Sequence, residues 1–266
     1  MNKLPISVCI ISGAEARRIG VCLESVAAWA AEIVVVLNAD VEDGTEEICR
    51  KYGARIFREA WKGHVAQKNS AADKAAQEWI LGLDADEAIS TGLRLEIART
   101  LASENITAKH DAFGFPRMTF YLGRWIRHGD WYPDRKVRLW RRGRARWGGE
   151  NPHDKLVVDG TVGDLQGDML HYTNPTISSY VDKINYFSDL FLQQQIAKNA
   201  RWSAPESVFR AVWRFARSYF IRLGFLDGYP GFFIAASTAY STLVRHTRLY
   251  EHLQSSQPSC VPPKSP

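Results

Sequence analysis

The sequence predicts an α/β fold with a mostly parallel central sheet flanked by helices, followed by a helical C-terminal extension. Short β-branched apolar runs alternate with amphipathic segments through residues 5–101, which is the pattern of successive βαβ units. Two carboxylates directly follow the fourth of these runs, as expected of a site at the carboxyl end of a parallel strand. Beyond residue 177 the pattern is mostly helical.

The predicted strands are short apolar runs bounded by turn residues. The runs at 5–11 and 33–37 are almost wholly apolar, which indicates strands covered on both faces of the sheet. In chain order the strands are predicted at 5–11, 33–37, 54–57, 79–83, 113–121 and 136–140, and a further apolar run ends at 169–172.

The predicted helices lie between these runs. Ile19, Leu23, Val26 and Ala30 recur at helical spacing, and Glu46 and Glu47 stand in the first turn of the next helix, where negative charge suits the helix dipole. The helices are predicted at 15–31, from Thr45 onward, at 67–77, at 91–101 and, in the C-terminal extension, at 206–223.

The composition is that of a globular protein, with 45% hydrophobic and 24% charged residues, which excludes a disordered or fibrous chain. The N-terminus lacks the apolar core of a signal peptide, and no stretch reaches the roughly 18 apolar residues of a membrane-spanning helix. The four cysteines have no ligand-like spacing, which argues against a zinc site or a disulfide framework and is typical of a reducing cytosol.

The charge is unevenly distributed along the chain. Residues 1–110 hold 13 basic and 16 acidic residues, a balance of −3, whereas residues 111–266 hold 21 and 13, a balance of +8. A basic half attracts phosphate-rich partners such as nucleic acid, an anionic membrane or a phosphorylated substrate. The simpler interpretation is a solvated basic surface.

The most informative motif is Asp84-Ala85-Asp86, which follows the predicted strand at 79–83. Alternate carboxylates at a strand end can hold a divalent ion against a diphosphate, and their hard oxygens suit Mg²⁺ or Mn²⁺. The structural alternative is an acidic turn that caps the following helix.

An ordered set of segments resembles the family 2 glycosyltransferases of the GT-A fold and, more narrowly, the lipopolysaccharide inner-core glucosyltransferase group. The matching segments are 7–26, 32–45, 63–69, 79–87, 138–142, 151–156, 171–172 and 224–231. The resemblance implies a GT-A, Rossmann-like catalytic domain at 1–175. It is followed by a helical, membrane-associating extension at 176–253 and a disordered tail at 254–266.

The resemblance further implies an inverting, metal-dependent transfer of a hexose, by analogy glucose, from a UDP-linked donor to a lipopolysaccharide inner-core or similar glycolipid acceptor. It implies a cytoplasmic protein, peripheral on the inner face of the inner membrane, without a nucleic-acid partner. Two alternatives stay open: a non-catalytic binding protein that keeps the GT-A fold, and a nucleotidyltransferase of similar fold.

The resemblance also assigns roles to individual residues. Asp86 becomes the metal ligand, Asp84 binds the ribose or the metal, and His171 completes the metal site. Asp154 becomes the general base, with Glu150 as the competing base. The donor-binding residues are Glu15, Asn38, Asp43, Lys68, Asp84 and His153.

This chain departs from the family pattern in the donor pocket. Asn38 stands where the family has Asp, Val41 where it has Ser, and Ala14 where it has Asn. An Asn oxygen can still accept the hydrogen of uracil N3, so base binding is retained in principle. These departures motivate the non-catalytic alternative, whereas the three aspartates of the site speak against it.

Two basic segments have more than one interpretation. The arginine-rich run at 135–146 fits nucleic acid, lipopolysaccharide phosphates or a donor diphosphate, and the resemblance favours the donor or acceptor side. In the helix at 206–223, Arg210, Arg214 and Arg217 share one face and apolar residues the other. Such a helix fits a membrane interface or packing on the catalytic domain, and the first is favoured here.

Overall fold

The computed structural model of the chain describes residues 3–149, 154–173 and 177–255. They form two compact units. The first unit comprises residues 1–120 and 133–173, and the second comprises residues 121–132 and 174–266. The predicted α/β class is confirmed, while the division at residues 175 and 253 stays a prediction.

Regular secondary structure occupies most of the described chain. The strands are β1 Leu4–Ser12, β2 Ala30–Asn38, β3 Arg55–Glu59, β4 Trp79–Asp84, β5 Glu87–Ile89, β6 Ala112–Tyr121, β7 Arg124–Ile126, β8 Asp134–Arg141, β9 Ala145–Gly148, β10 Lys155–Val158, β11 Val162–Asp164 and β12 Met169–His171. The α-helices are α1 Ile19–Ala27, α2 Thr45–Lys51, α3 His64–Asp73, α4 Thr91–Leu101, α5 Glu104–Thr107, α6 Ile177–Ala197, α7 Ala204–Ala216 and α8 Gly228–Ser255.

The first unit is built on one mixed sheet with the strand order β3-β2-β1-β4-β8-β6-β12-β5. Strands β1 to β4 pair in parallel, as the alternation of strands and helices predicts. Strand β8 is antiparallel to both β4 and β6, and β12 is parallel to β6 but antiparallel to β5. The parallel half therefore brings the carboxyl ends of β1, β2 and β4 to one edge of the sheet.

Both faces of the parallel half are buried. On one face Ile6, Val8 and Ile10 of β1 pack in a cluster with apolar residues of α1 and α4. On the other face Cys9 packs with residues of β2 and with Ala71 of α3. Burial on both faces explains why these strands are almost continuously apolar in sequence.

Two helices differ from the predicted bounds. The helix predicted at 15–31 spans Ile19–Ala27, and before it the N–H of Glu15 binds Thr45 Oγ1 (2.9 Å) and that of Ala16 binds Asp43 Oδ2 (3.1 Å). The helix predicted at 67–77 spans His64–Asp73. The N–H groups of residues 76 and 77 bind side chains of β2 and β1 instead.

The second unit is mainly helical, in agreement with the pattern beyond residue 177. The helix predicted at 206–223 is divided into α7, a π-helical turn at Arg217–Ile221 and a left-handed Leu223. The buried carboxylate of Asp227 accepts the N–H groups of Arg127 (2.9 Å) and His128 (2.8 Å), which ties the segment 121–132 to this unit. Among the described residues, no helix is long and apolar enough to cross a membrane.

Candidate active site

The candidate site lies where β1, β2 and β4 end, at one edge of the parallel half of the sheet. A cleft of about 630 Å³ opens there, and we call it the edge cleft. Ligands of open α/β sheets bind at this position because the strand ends and the following loops form a crevice. The edge cleft is lined by Ile11, Ser12, Gly13, Glu15, Asn38, Asp40, Trp61, His64, Lys68, Asp84, Ala85, Asp86 and Asp154.

Asp84, the last residue of β4, is held between two cations. Its Oδ1 lies 2.8 Å from Lys68 Nζ, and its Oδ2 lies 2.8 Å from a terminal nitrogen of Arg138. Burial raises the pKa of Asp84, but the charges of Arg138 and Lys68 outweigh burial and hold this pKa well below its usual value. Both carboxylate oxygens are therefore engaged, and the negative charge is already neutralised by protein groups.

Glu87 fixes the turn that follows Asp84. It is fully buried, and its Oε2 accepts the backbone N–H of Asp84 at 3.0 Å. Its Oε1 lies 3.1 Å from Arg138 and 3.2 Å from Arg117. A buried carboxylate that is fully hydrogen-bonded in this way determines the geometry of the Asp84–Asp86 turn.

Asp86 has a more open environment. Its Oδ2 lies 3.4 Å from His171 Nε2 and 3.6 Å from Arg18. His171 lies next to Asp86 because strand β12 pairs with β5, and this pairing places His171 opposite Glu87. Burial raises the pKa of Asp86, but hydrogen bonding and the charge of His171 outweigh it and leave this pKa below its usual value. Asp86 is therefore ionised at neutral pH.

The residues at Asp86 fit a divalent ion that is shared with a diphosphate. Within the described ranges, His, Cys, Asp and Glu side chains form no group of three that could by itself hold a metal. Asp86 and His171 supply two ligand groups close together, and Mg²⁺ in such sites takes its remaining ligands from phosphate oxygens and water. Asp84 is less suited to direct ligation, since Lys68 and Arg138 occupy both of its oxygens.

Asp154 forms a second ion pair with Lys68, the residue that also binds Asp84. Lys68 is only 8% exposed, and its Nζ lies 2.8 Å from Asp154 Oδ2 and 4.6 Å from the centre of the Trp147 ring. Asn69 holds Trp147 in place through two backbone hydrogen bonds of 2.9 Å, one donated and one accepted. Helix α3 thus supplies Lys68, which pairs with both carboxylates, and Asn69, which holds Trp147 next to Lys68.

A second cleft of about 470 Å³ adjoins the first, and we call it the basic cleft. It shares Lys68, Asp84 and Asp154 with the edge cleft, so these residues line both spaces. Its lining is Lys68, Asp84, Arg117, Arg135, Lys136, Val137, Arg138, Trp147, Asp154, Lys155 and Leu156.

The other predicted donor-binding residues differ in placement. Asn38 lines the edge cleft, and its Oδ1 is buried without a hydrogen-bond partner among the described residues, which leaves an acceptor unused. Glu15 also lines the cleft, where it binds Arg18 through both oxygens at 2.7 and 2.6 Å. Asp43 does not line the cleft, and it ties Ala16 and Thr45 together instead. Glu150 and His153 lie outside the described residues.

Several residues of the site were not predicted from the sequence. The sequence gives no separate signal for Glu87, which directly follows Asp86, and it predicts Arg138 only as part of the arginine-rich run. Trp61 and His64 form an edge-to-face ring pair, with centroids 4.8 Å apart, at the edge cleft. A lone Trp before a helix has no sequence signal for such a role.

Comparison with known proteins gives one family match. The family described as "Glycosyl transferase family 2" matches residues 7–155, which is more than half of the chain and includes β1 to β9 and the start of β10. The match covers the carboxylates of both clefts and ends next to Asp154.

Two curated glycosyltransferases match over most of their length. The chain is 29% identical to the lipopolysaccharide core biosynthesis glycosyltransferase LpsC of Rhizobium meliloti, covering 94% of this chain and 93% of LpsC. It is 28% identical to an uncharacterised glycosyltransferase of Rickettsia typhi, covering 92% and 87%. Among solved structures, S. aureus TarS 1–349 in complex with UDP-GlcNAc aligns with a TM-score of 0.49 and 15% identity, covering 97% and 93%.

Proposed function

The chain belongs to glycosyltransferase family 2, and we propose that it is an inverting, metal-dependent hexosyltransferase with a UDP-linked donor and a lipopolysaccharide-type acceptor. Family membership establishes a glycosyltransferase with a GT-A catalytic fold. The donor, the metal and the acceptor belong to the proposal.

One observation carries the proposal. Lys68, Asp84 and Asp154 line two adjoining clefts at the carboxyl edge of the sheet. A transferase needs two substrates to meet at one point, and a carboxylate that lines both spaces stands where the two substrates would meet. The arrangement supports the edge cleft as the donor site and the basic cleft as the acceptor site.

The edge cleft has groups that suit a uridine diphosphate sugar. The unpaired Oδ1 of Asn38 can accept the hydrogen of uracil N3, and the exposed ring of Trp61 offers a stacking surface. Asp86 and His171 would hold Mg²⁺ or Mn²⁺ against the diphosphate. The ion would neutralise the negative charge that develops on the departing diphosphate.

In the proposed reaction the acceptor oxygen attacks the anomeric carbon from the side opposite the nucleotide. The bond from that carbon to the β-phosphate oxygen breaks, and the hydroxyl proton passes to Asp154 as general base. Lys68 holds the Asp154 carboxylate in place at 2.8 Å, and Arg138 neutralises Asp84 so that the cleft can accept a diphosphate. Inversion at the anomeric carbon follows from a single displacement.

The proposed acceptor is based on the similarity to LpsC and on the exposed apolar residues of the second unit. LpsC, which matches over 93% of its length, carries lipopolysaccharide core biosynthesis in its name. In the second unit Phe209, Val212 and Trp213 of α7 are 47–66% exposed, while Arg214 and Arg217 pair with Asp130 at 3.5 Å. An outward apolar face supports peripheral binding to the inner membrane from the cytoplasmic side, where such an acceptor is held.

A transfer assay with defined donors tests the proposal. The chain is incubated with Mn²⁺, a deacylated lipopolysaccharide core and UDP-glucose, UDP-galactose, GDP-mannose or ADP-heptose in turn. The product is identified by mass spectrometry and its anomeric configuration by NMR. We expect a mass gain of one hexose with a UDP-sugar only, and a β-linkage from an α-linked donor. Transfer from a donor with another base, or retention of configuration, would contradict the proposal.

A further inference from the structure

The basic cleft is lined by far more cations than anions. Its walls include the basic side chains Lys68, Arg117, Arg135, Lys136, Arg138 and Lys155, against two acidic ones, Asp84 and Asp154. A concave surface with such an excess of one sign concentrates ligands of the opposite sign.

Three further carboxylates, Glu87, Asp134 and Asp164, pair with bases of the cleft. Glu87 pairs with Arg117 and Arg138, Asp134 pairs with Arg117 and Lys136, and Asp164 pairs with Arg135 at 2.6 Å. None of these three carboxylates lines the cleft. They fix the positions of four of the bases, while the charged side chains that line the cleft itself are six basic and two acidic ones.

Two of the bases have unused donor capacity. Arg138 is 5% exposed, and its Nε and Nη1 have no hydrogen-bond partner in the described part of the chain. Lys155 forms no ion pair with any described residue, although it is exposed at the cleft. Unfilled N–H groups on a buried guanidinium are costly unless a ligand binds them, and a guanidinium matches the geometry of phosphate and carboxylate oxygens.

The structure divides the arginine-rich run at 135–146 into two groups. Arg135, Lys136 and Arg138 line the cleft. Arg141, Arg142, Arg144 and Arg146 do not line it. Of these, Arg141 pairs with Glu78, Arg144 with Asp111 and Arg146 with Asp73. Only part of the run therefore faces a ligand space, which gives a matched set of control residues of the same charge.

We propose that the basic cleft binds an oxyanion of the acceptor, a phosphomonoester or a carboxylate, next to the hydroxyl that is glycosylated. This inference rests on the proposed function, which makes this cleft the acceptor site. The oxyanion accepts hydrogen bonds from the donors of Arg138 and Lys155 that have no partner among the described residues. The acceptor is then a phosphorylated or acidic sugar.

The test measures anion binding while the edge cleft is filled. The full chain is saturated with UDP and Mg²⁺, and saturation-transfer NMR measures the affinity of glucose 6-phosphate, glucuronate and glucose. We expect glucose 6-phosphate to bind at least about 10-fold more tightly than glucose, as charge-assisted contacts predict. Glucuronate shows whether the site accepts a carboxylate as well as a phosphate.

Two variants locate the site. Lys155→Ala is expected to weaken glucose 6-phosphate binding by about 10-fold, the usual effect of losing one charge-assisted contact, with UDP affinity unchanged. Arg146→Ala removes an equal charge from neighbouring β9, where Arg146 is 67% exposed and outside the cleft, and should change neither affinity.

Three outcomes would overturn the inference. Equal binding of glucose and glucose 6-phosphate would show that the anion is not recognised, and equal losses in both variants would show only a diffuse charge effect. Binding of glucose 6-phosphate that is observed without UDP and lost at saturating UDP would assign the cleft to the donor diphosphate. The UDP affinity of the wild type, measured in a separate titration, separates these results from a failure of the proposed donor site.

Discussion

Lys68 is a buried cation that pairs with two carboxylates of the site. It is almost fully buried and compensates Asp84 on one side and Asp154 on the other. Buried ion pairs contribute little net stability when complete, but removing one partner leaves a charge without compensation. The residue is therefore required for the electrostatic integrity of both clefts.

We expect Lys68→Met to lower the free energy of unfolding by about 2–4 kcal/mol, because two carboxylates lose their shared cation. Lys62→Met is the matched control, since Lys62 is 50% exposed and, among the described residues, pairs only with Glu59. This variant should change stability by less than about 0.5 kcal/mol. Urea denaturation at pH 7 measures both. Equal stability of the two variants would contradict the proposed role of Lys68.

We expect Asp154→Asn to leave UDP-glucose binding intact and to reduce kcat by about 10² to 10⁴, the usual effect of losing a general base. The amide keeps the size of the side chain but cannot take a proton. Steady-state kinetics of Asp154→Asn and of Glu150→Gln, measured in parallel, shows which of the two carboxylates is the general base. Near-normal turnover of Asp154→Asn with a slow Glu150→Gln enzyme would transfer the role to Glu150.

Six of the residues that line the edge cleft were predicted from the sequence. Asp84 and Asp86 follow a predicted strand, and the family resemblance implied roles for Glu15, Asn38, Lys68 and Asp154. The sequence did not predict the pairing of Arg138 with Asp84 and Glu87. That contact depends on β8 lying antiparallel to β4, with Leu139 opposite Leu81. Local periodicity carries no information on such long-range register.

At the scale of elements, the side chain of Glu32 connects the amino ends of several strands. It accepts hydrogen bonds from Ser7 of β1, Arg55 of β3 and the N–H of Ala76 before β4. Burial raises the pKa of Glu32, but these hydrogen bonds and the charge of Arg55 outweigh it, so the pKa lies below its usual value. The helix predicted at 67–77 ends early for the same reason, since its last N–H groups bind elsewhere.

We expect Glu32→Gln to lower the free energy of unfolding by about 1–2 kcal/mol at pH 7, because charged hydrogen bonds become neutral ones. The folded-state pKa is the lower one, so the contribution of Glu32 is complete above about pH 4.3, the unfolded value, and is lost as the pH falls through the folded pKa. Urea denaturation at pH 7, 5 and 3.5 should show the two proteins converging. A difference that stays constant across this range would contradict the assignment.

At the scale of the whole molecule, the chain combines an α/β unit that holds the clefts with a helical unit that exposes apolar side chains. The sequence predicted both the order of these parts and the amphipathic helix at 206–223. It did not predict that residues 121–132 join the helical unit, because this depends on the buried Asp227, about a hundred residues away in sequence. It also did not predict that Arg214 and Arg217 pair with Asp130.

We expect the double variant Phe209→Ser/Trp213→Ser to reduce binding to anionic phospholipid vesicles by at least about 10-fold, since each buried aromatic contributes more than about 1 kcal/mol. Val157→Ser removes an exposed apolar residue from the other unit and should bind as the wild type does. Vesicle sedimentation measures both. Undiminished binding of the double variant would contradict a membrane role for α7.

The central claim is that Asp86 mediates metal-dependent donor binding in the edge cleft. Titration calorimetry with UDP-glucose, with and without Mn²⁺, tests it most directly in the wild type, in Asp86→Ala and in the control Asp73→Ala, which alters an exposed carboxylate outside both clefts. The account predicts that Mn²⁺ strengthens binding by at least about 10-fold in the wild type and the control, and not in Asp86→Ala. Metal-dependent binding that survives Asp86→Ala, or a wild type that binds no UDP-glucose, would contradict it.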